Sequence, residues 1–149
     1  MQAATSLVAV AESPVLPEAY RPTDDEPFMN ERQLEYFKNK LLRWKDDILR
    51  ESRETLSHLQ AETENHPDLA DRASSETDRA LELRTRDRQR KLISKIDAAL
   101  RRVEDGSYGY CEDTGEPIGL ARLEARPIAT LSLEAQERHE RRERVHRDD

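Results

Sequence analysis

Early in the chain apolar residues return at alternating intervals of three and four: Leu34, Phe37, Leu41, Trp44 and Ile48. That rhythm keeps one stripe of a helix turned toward a partner helix, as a coiled-coil seam requires. Leu42, Leu49 and Leu56 form a second row, seven apart, which widens the stripe before the pattern fades toward Ala61-Glu62-Thr63-Glu64. The rhythm reappears in Ile93, Ile96, Leu100 and Val103. Between the two lies LRTRDRQRK, polar with arginines at alternate positions. Holding this stretch falls to Leu81 and Leu83 and to four-apart ion pairs such as Glu82 with Arg86 and Asp87 with Lys91, worth about 0.2–0.5 kcal/mol each.

Breaker residues say where the helices stop. Between Phe28 and Asp105 there is no glycine and one proline, Pro67. Glycine and proline cost a helix interior about 1 and about 3 kcal/mol, so two uninterrupted arms of near-equal length joined at Pro67 predict a long antiparallel coiled-coil hairpin. The first arm starts at Asn30, an N-cap residue, with Gln33 placed as in a capping box. An arm of roughly 34 helical residues would run about 50 Å. The fold class expected is therefore mainly α. Its parts are a leader over 1–29, a hairpin over 30–105 with its tip near 65–73, a small head over 106–131 and a C-terminal helix over 132–149.

The leader carries Pro14, Pro17, Pro22 and Pro27 and the run Asp24-Asp25-Glu26. It is expected to be flexible or loosely docked, with SLVAVAES able to form one short helix. All four glycines fall within DGSYGYCEDTGEPIG, marking tight turns in the head. No aromatic residue occurs from Lys45 to Ser107, so Tyr36, Phe37 and Trp44 are expected beside Tyr108 and Tyr110 at the hairpin's base. The tail places Glu four residues before Arg in Glu134–Arg138, Glu137–Arg141, Glu140–Arg144 and Glu143–Arg147, the favourable order on a helix.

Composition narrows the function. Of 149 residues 35% are hydrophobic, 5% aromatic and 38% charged, and mean hydropathy is -0.99. That suits helices burying a narrow seam rather than one thick core. A net charge of -7 and a pI near 5.2 argue against direct, sequence-independent or sequence-specific DNA binding, which draws on a basic surface. No apolar run approaches the roughly 18 residues that span a bilayer, and the N-terminus lacks a basic secretory start, so the expected location is cytoplasmic. One cysteine excludes an internal disulfide framework. No nucleophile–base pair, P-loop or catalytic dyad is present, and His58, His66, His139 and His146 are scattered; the chain is read as a non-enzyme. Arg84–Arg90, interrupted by Asp87 and free of stacking aromatics, reads as a solvated helix face or a protein contact.

The segments YGYC, GEPIG and RLEARP, with HPDLADRASSETD and LELRTRDRQRKLISKID upstream, resemble the DksA/TraR family of bacterial transcription factors. The resemblance runs from about Met29 to the C-terminus. It implies a coiled-coil hairpin that enters the secondary channel of RNA polymerase, acting on promoter open complexes in the stringent response together with ppGpp. The family's D-x-x-D-x-A tip motif falls on Asp68, Asp71 and Ala73; read without the family, Asp68 and Asp71 are helix-capping carboxylates. Its ppGpp-contacting positions fall on Leu92, Lys95 and Arg126, and a fourth, usually lysine, is Gln136 here. Its C-x2-C-x17-C-x2-C zinc site falls on Cys111, Thr114, Ser132 and Ala135. Only one of these is a zinc ligand, and His139 or Glu112 would substitute at spacings without precedent. No structural zinc is therefore expected. Thr, Ser and Ala are near cysteine in size and let the cavity close around Tyr108, Tyr110, Ile118, Leu123, Ile128 and Leu131. Cys111 is read as a buried leftover thiol rather than a redox sensor. The expected partners are RNA polymerase and ppGpp, with the protein a monomer. A coiled-coil adaptor without polymerase binding is the alternative, though it leaves the head and the acidic tip without a reason.

Overall fold

The computed structural model describes residues 16–64 and 69–148, and the side chains of all of these but 59, 62–64, 69–73, 147 and 148. The described residues are mainly helical: α1 (Glu31–Glu64), α2 (Leu69–Asp105), the short α3 (Leu120–Ala125) and α4 (Leu133–Asp148). None of these helices is long and apolar enough to cross a membrane. Two compact units divide the chain, residues 42–98 and the remainder.

The unit 42–98 is an antiparallel helical pair. Lys45 reaches Asp97 at 2.7 Å, the Ser52 hydroxyl donates to Gln89 at 2.7 Å, and His58 meets Glu82 at 3.1 Å. As the first partner climbs along α1 the second descends along α2, which is the register of a hairpin. Ile48 and Ile96 supply its apolar seam, 5% and 0% exposed. Toward the turn, polar bridges take over from apolar contacts. Leu81 and Leu83, expected to hold the polar stretch, are instead exposed at 54% and 49%. Of the two ion pairs expected there, Asp87–Lys91 forms at 3.3 Å. Glu82 turns across the interface to His58 and does not pair with Arg86.

The other unit begins with the start of α1. Asn30 Oδ1 accepts the Gln33 amide at 2.9 Å, an N-cap bond. The reciprocal half of a capping box is displaced by one residue: Gln33 Oε1 accepts the amide of Met29, not of Asn30, at 2.8 Å. Met29 has a positive φ of 54°, which turns its N–H toward Gln33. Gln33 is fully buried, and its Nε2 donates to the Thr23 carbonyl and to Glu26 Oε2 at 3.2 and 3.1 Å. Residues 16–29, expected to be flexible or loosely docked, therefore lie against the base of α1. Tyr20 donates to Glu26 at 2.6 Å, Arg32 sits 4.5 Å over the Tyr20 ring, and Phe28 meets Tyr110 edge-on at 5.5 Å. The SLVAVAES segment lies outside the described residues.

At its far end α2 closes with a Schellman turn: Ser107 N–H reaches back to the Arg102 carbonyl at 3.0 Å, with Gly106 in the left-handed region at φ 84°. The knuckle that follows buries Tyr108 and Leu123 completely. Tyr108 packs on Phe37 with ring centroids 5.7 Å apart and donates its hydroxyl to the Pro127 carbonyl at 2.8 Å. Ile118 is buried as well, while Ile128 and Leu131 are half-buried. Tyr110, expected inside, is 37% exposed. A single bridge, Tyr110 to Pro117, is the knuckle's only strand-like pairing among the described residues.

Candidate functional site

Three groups of residues carry candidate chemistry. At the hairpin turn, Asp68 lies outside the described residues. Asp71 and Ala73 belong to the first turns of α2, consistent in position with a carboxylate near a helix N-terminus. On the same helix Leu92 and Lys95 stand three apart and so share a face, Leu92 half-buried and Lys95 exposed. Arg126 belongs to the other unit, at the C-terminal end of α3, where its amide bonds the Arg122 carbonyl at 2.7 Å. Its exposed side chain borders a cleft of about 790 Å³ lined also by Ile118, Leu120 and Leu133. Gln136 is half-buried and donates to Glu140 at 3.3 Å.

Helix α3 is held to α1 by Glu124. Its carboxylate accepts the Tyr36 hydroxyl at 2.6 Å and the Lys40 ammonium at 2.7 Å, and Lys40 also reaches the Glu124 carbonyl at 3.0 Å. Burial pushes the Glu124 carboxyl up. The bonds from Lys40 and Tyr36 outweigh it and hold the group below the usual carboxylate range. This clamp orients the helix that ends in Arg126.

The third group is the constellation of Cys111, Thr114, Ser132 and Ala135. Cys111 is 3% exposed and Ala135 fully buried. Ser132 Oγ is occupied as the N-cap of α4, accepting the Ala135 amide at 3.2 Å. Thr114 Oγ1 accepts the Glu116 amide at 3.3 Å. Burial pushes the Cys111 thiol up. The Ser132 amide, the Thr114 hydroxyl and the Thr114 and Asp113 amides oppose burial and bring the thiol from 9 down to about 6. So N–H and O–H donors surround the sulfur, where a metal would otherwise neutralise it.

One thiolate, two engaged hydroxyls and a methyl do not fit tetrahedral zinc, which takes four S, N or O⁻ ligands. Among the described residues no three His, Cys, Asp or Glu side chains gather as a metal would need. Other cross-links tie the knuckle to itself and to α4. The Glu112 amide reaches the Thr130 carbonyl at 2.9 Å, and His139 Nε2 meets Asp113 at 2.8 Å. Sequence reasoning had left His139 without a role. Its position two turns past Ser132 and one turn past Ala135, on the face turned to the knuckle, was the available signal.

These features coincide with a known family along nearly the whole chain. Residues 33–103 match the family model described as DnaK suppressor protein DksA, N-terminal domain. Residues 106–141 match the prokaryotic dksA/traR C4-type zinc finger. The chain belongs to the DksA family. It is 81% identical, over all 149 residues of both chains, to the RNA polymerase-binding transcription factor DksA of Caulobacter vibrioides. With the protein of the same name from Escherichia coli it shares 46% identity over 127 residues, 85% of this chain and 84% of the other. The solved structure of transcription factor DksA2 from Pseudomonas aeruginosa superposes with a TM-score of 0.75 at 44% identity, covering 83% of this chain and 94% of that one. The zinc-finger match thus extends over a segment in which three of the four cysteine positions hold other residues.

Proposed function

We propose that this protein is a transcription regulator that binds RNA polymerase directly, one copy per enzyme, in the cytoplasm. The observation that carries the reading is end-to-end identity of 81% with a factor named for binding RNA polymerase. In this reading the hairpin turn enters the secondary channel, and Asp68 and Asp71 present carboxylates to mobile elements of the active centre. Two carboxylates make a poor Mg²⁺ cage, so they act by competing for protein contacts rather than by catalysis. Ala73 leaves room for close approach.

The effector in this reading is ppGpp, bound at the polymerase interface, and the family's contact positions assign Leu92, Lys95 and Arg126 to it. Arginine's planar fork suits paired phosphate oxygens, and lysine adds a point charge. Gln136, where the family carries lysine, leaves the site one positive charge short, so ppGpp should act more weakly here than on a member with that lysine. Gln136→Lys should strengthen it. The knuckle folds without zinc, so its activity does not follow zinc supply.

Purified transcription from a ribosomal RNA promoter tests this. Asp68→Asn and Asp71→Asn should each retain binding to core polymerase in a pull-down and lose repression. Wild-type repression by both variants would remove the tip assignment, and failure of the wild-type protein to bind polymerase would remove the whole reading.

A further inference from the structure

One face of α1 serves neither the hairpin seam nor the knuckle. Positions 42, 46, 49, 53 and 56 recur at intervals of four, three, four and three, and they carry Leu, Asp, Leu, Arg and Leu. At 100° per residue these five lie within one narrow stripe. The stripe stands roughly a quarter-turn from Lys45, Ile48 and Ser52, which face α2. Leu42, Leu49 and Leu56 are 43%, 39% and 39% exposed, and Asp46 and Arg53 are exposed between them. Regular heptad leucines left in water are the residues a second helix would cover.

We infer that this face docks a second copy of the same chain, antiparallel, about a two-fold axis at Leu49. The order Leu-Asp-Leu-Arg-Leu is what selects this occupant. Turned end for end on itself, it sets Leu42 against the second copy's Leu56, Leu49 against Leu49, and Asp46 against Arg53 at two equivalent places. A parallel pairing would oppose Asp46 to Asp46 and Arg53 to Arg53, like charges facing across a seam. A two-fold interface must be self-complementary in this way, whereas an unrelated helix imposes no such symmetry.

The charges are available for it. Arg53 has no ion-pair partner among the described residues. Asp46 holds Arg50 at 2.8 Å within its own helix, an exposed pair of the weak kind. Arg50 borders the axis, and Asp46 and Asp47 (the latter at 3.8 Å) offset its charge when two copies approach. The stripe is only about 21 Å long. Its area lies well under the ~1,200 Å² of a stable interface, so the dimer is transient, with a Kd on the order of 100 µM. Dilute protein is then monomeric, in keeping with single-copy action. The inference does not rest on the polymerase reading.

Sedimentation of the full chain from about 10 µM to about 1 mM brackets that affinity and should show the average mass rising from 17.3 kDa toward twice that value. Asp46→Arg should weaken association about tenfold or more, and Asp46→Arg with Arg53→Asp should restore it, because the pairs re-form with signs exchanged. Leu49→Cys should give a disulfide-linked dimer under mild oxidation, since residue 49 meets itself; Leu42→Cys alone should not. Buried Cys111 does not interfere. A chain monomeric at the top concentration overturns the inference. So does a double variant no better than Asp46→Arg, or cross-linking as efficient at 42 as at 49. Should Asp46→Arg disturb the helix, seen as lost circular dichroism, the two cysteine variants still decide.

Discussion

Gln33→Leu should loosen the whole junction between residues 16–29 and the base of α1. Leucine is close to glutamine in volume, so little cavity opens and the loss is chiefly one of hydrogen bonds. The Met29 amide, bonded to Gln33 Oε1 at 2.8 Å in a buried setting, is left without a partner. The Thr23 carbonyl loses one of its two donors, at 3.2 Å, and keeps the Glu26 amide at 3.3 Å. Glu26 keeps the Tyr20 hydroxyl and turns to water. Stranding one buried donor costs about 1–3 kcal/mol. For a chain of this size that corresponds to a drop of about 2–12 °C in Tm at about 2–4 °C per kcal/mol. The assay is thermal unfolding by circular dichroism, paired with hydrogen exchange at the Met29 amide, which should accelerate. Gln33→Glu is the informative companion. It keeps an acceptor for Met29 but sets a buried carboxylate 3.1 Å from where Glu26 Oε2 lies. Like charges disfavour ionisation there, so this variant should be less stable at pH 8 than at pH 5 relative to wild type. A Gln33→Leu protein with unchanged Tm and unchanged Met29 exchange would refute the argument that this buried amide orders the leader.

Three further outcomes follow from the same geometry. Gly109→Ala forces a side chain into a φ of 92° and puts its Cβ 2.9 Å from Met29 Cγ, so it should cost about 1–3 kcal/mol in urea unfolding, and Met29→Ala should recover part of it. The Cys111 thiol, lowered from 9 to about 6, titrates lower folded than unfolded. Its contribution is full above about 9 and is lost as pH falls through 6, so the stability gap between wild type and Cys111→Ser should widen from pH 5.5 to 8.5; a flat gap would contradict the donor cage. Chelator should leave the Tm of the purified protein unchanged, whereas Thr114→Cys, Ser132→Cys and Ala135→Cys together should bind one zinc by elemental analysis and make the Tm chelator-sensitive.

The hairpin was legible because helix interiors exclude glycine and proline, and only Pro67 interrupts an otherwise continuous span. The three-four spacing of Phe37, Leu41 and Ile48 located the seam for the same local reason: side chains that recur with the helix share a face. That three of the family's four cysteine positions hold other residues was also visible in the sequence, since the chain has one cysteine. Other features lay beyond the one-dimensional pattern. Leu81 and Leu83 read as seam residues but face solvent, because positions two apart on a helix point about 200° apart and the partner register decides which face is covered. Glu82 had a plausible partner four residues on, yet His58, distant in sequence, took it. Of the tail's four-apart pairs, Glu134–Arg138, Glu137–Arg141 and Glu140–Arg144 do not close to ion-pair distance among the described residues, since exposed pairs gain too little to freeze two long side chains.

By itself, then, the sequence determined the helices, their pairing as a hairpin and the small number of thiol ligands in the knuckle, all of which depend on residue type and local spacing. Only the tertiary structure decided that Gln33 would be buried and triply bonded, that Glu124 would clamp α3 to α1, and that amides from 113, 114 and 132 would converge on the Cys111 sulfur. Some of those contacts join residues far apart in the chain, as Glu124 does with Tyr36 and Lys40, and the nearer ones depend on irregular backbone; the energies of all of them exist only once folding has removed the groups from water.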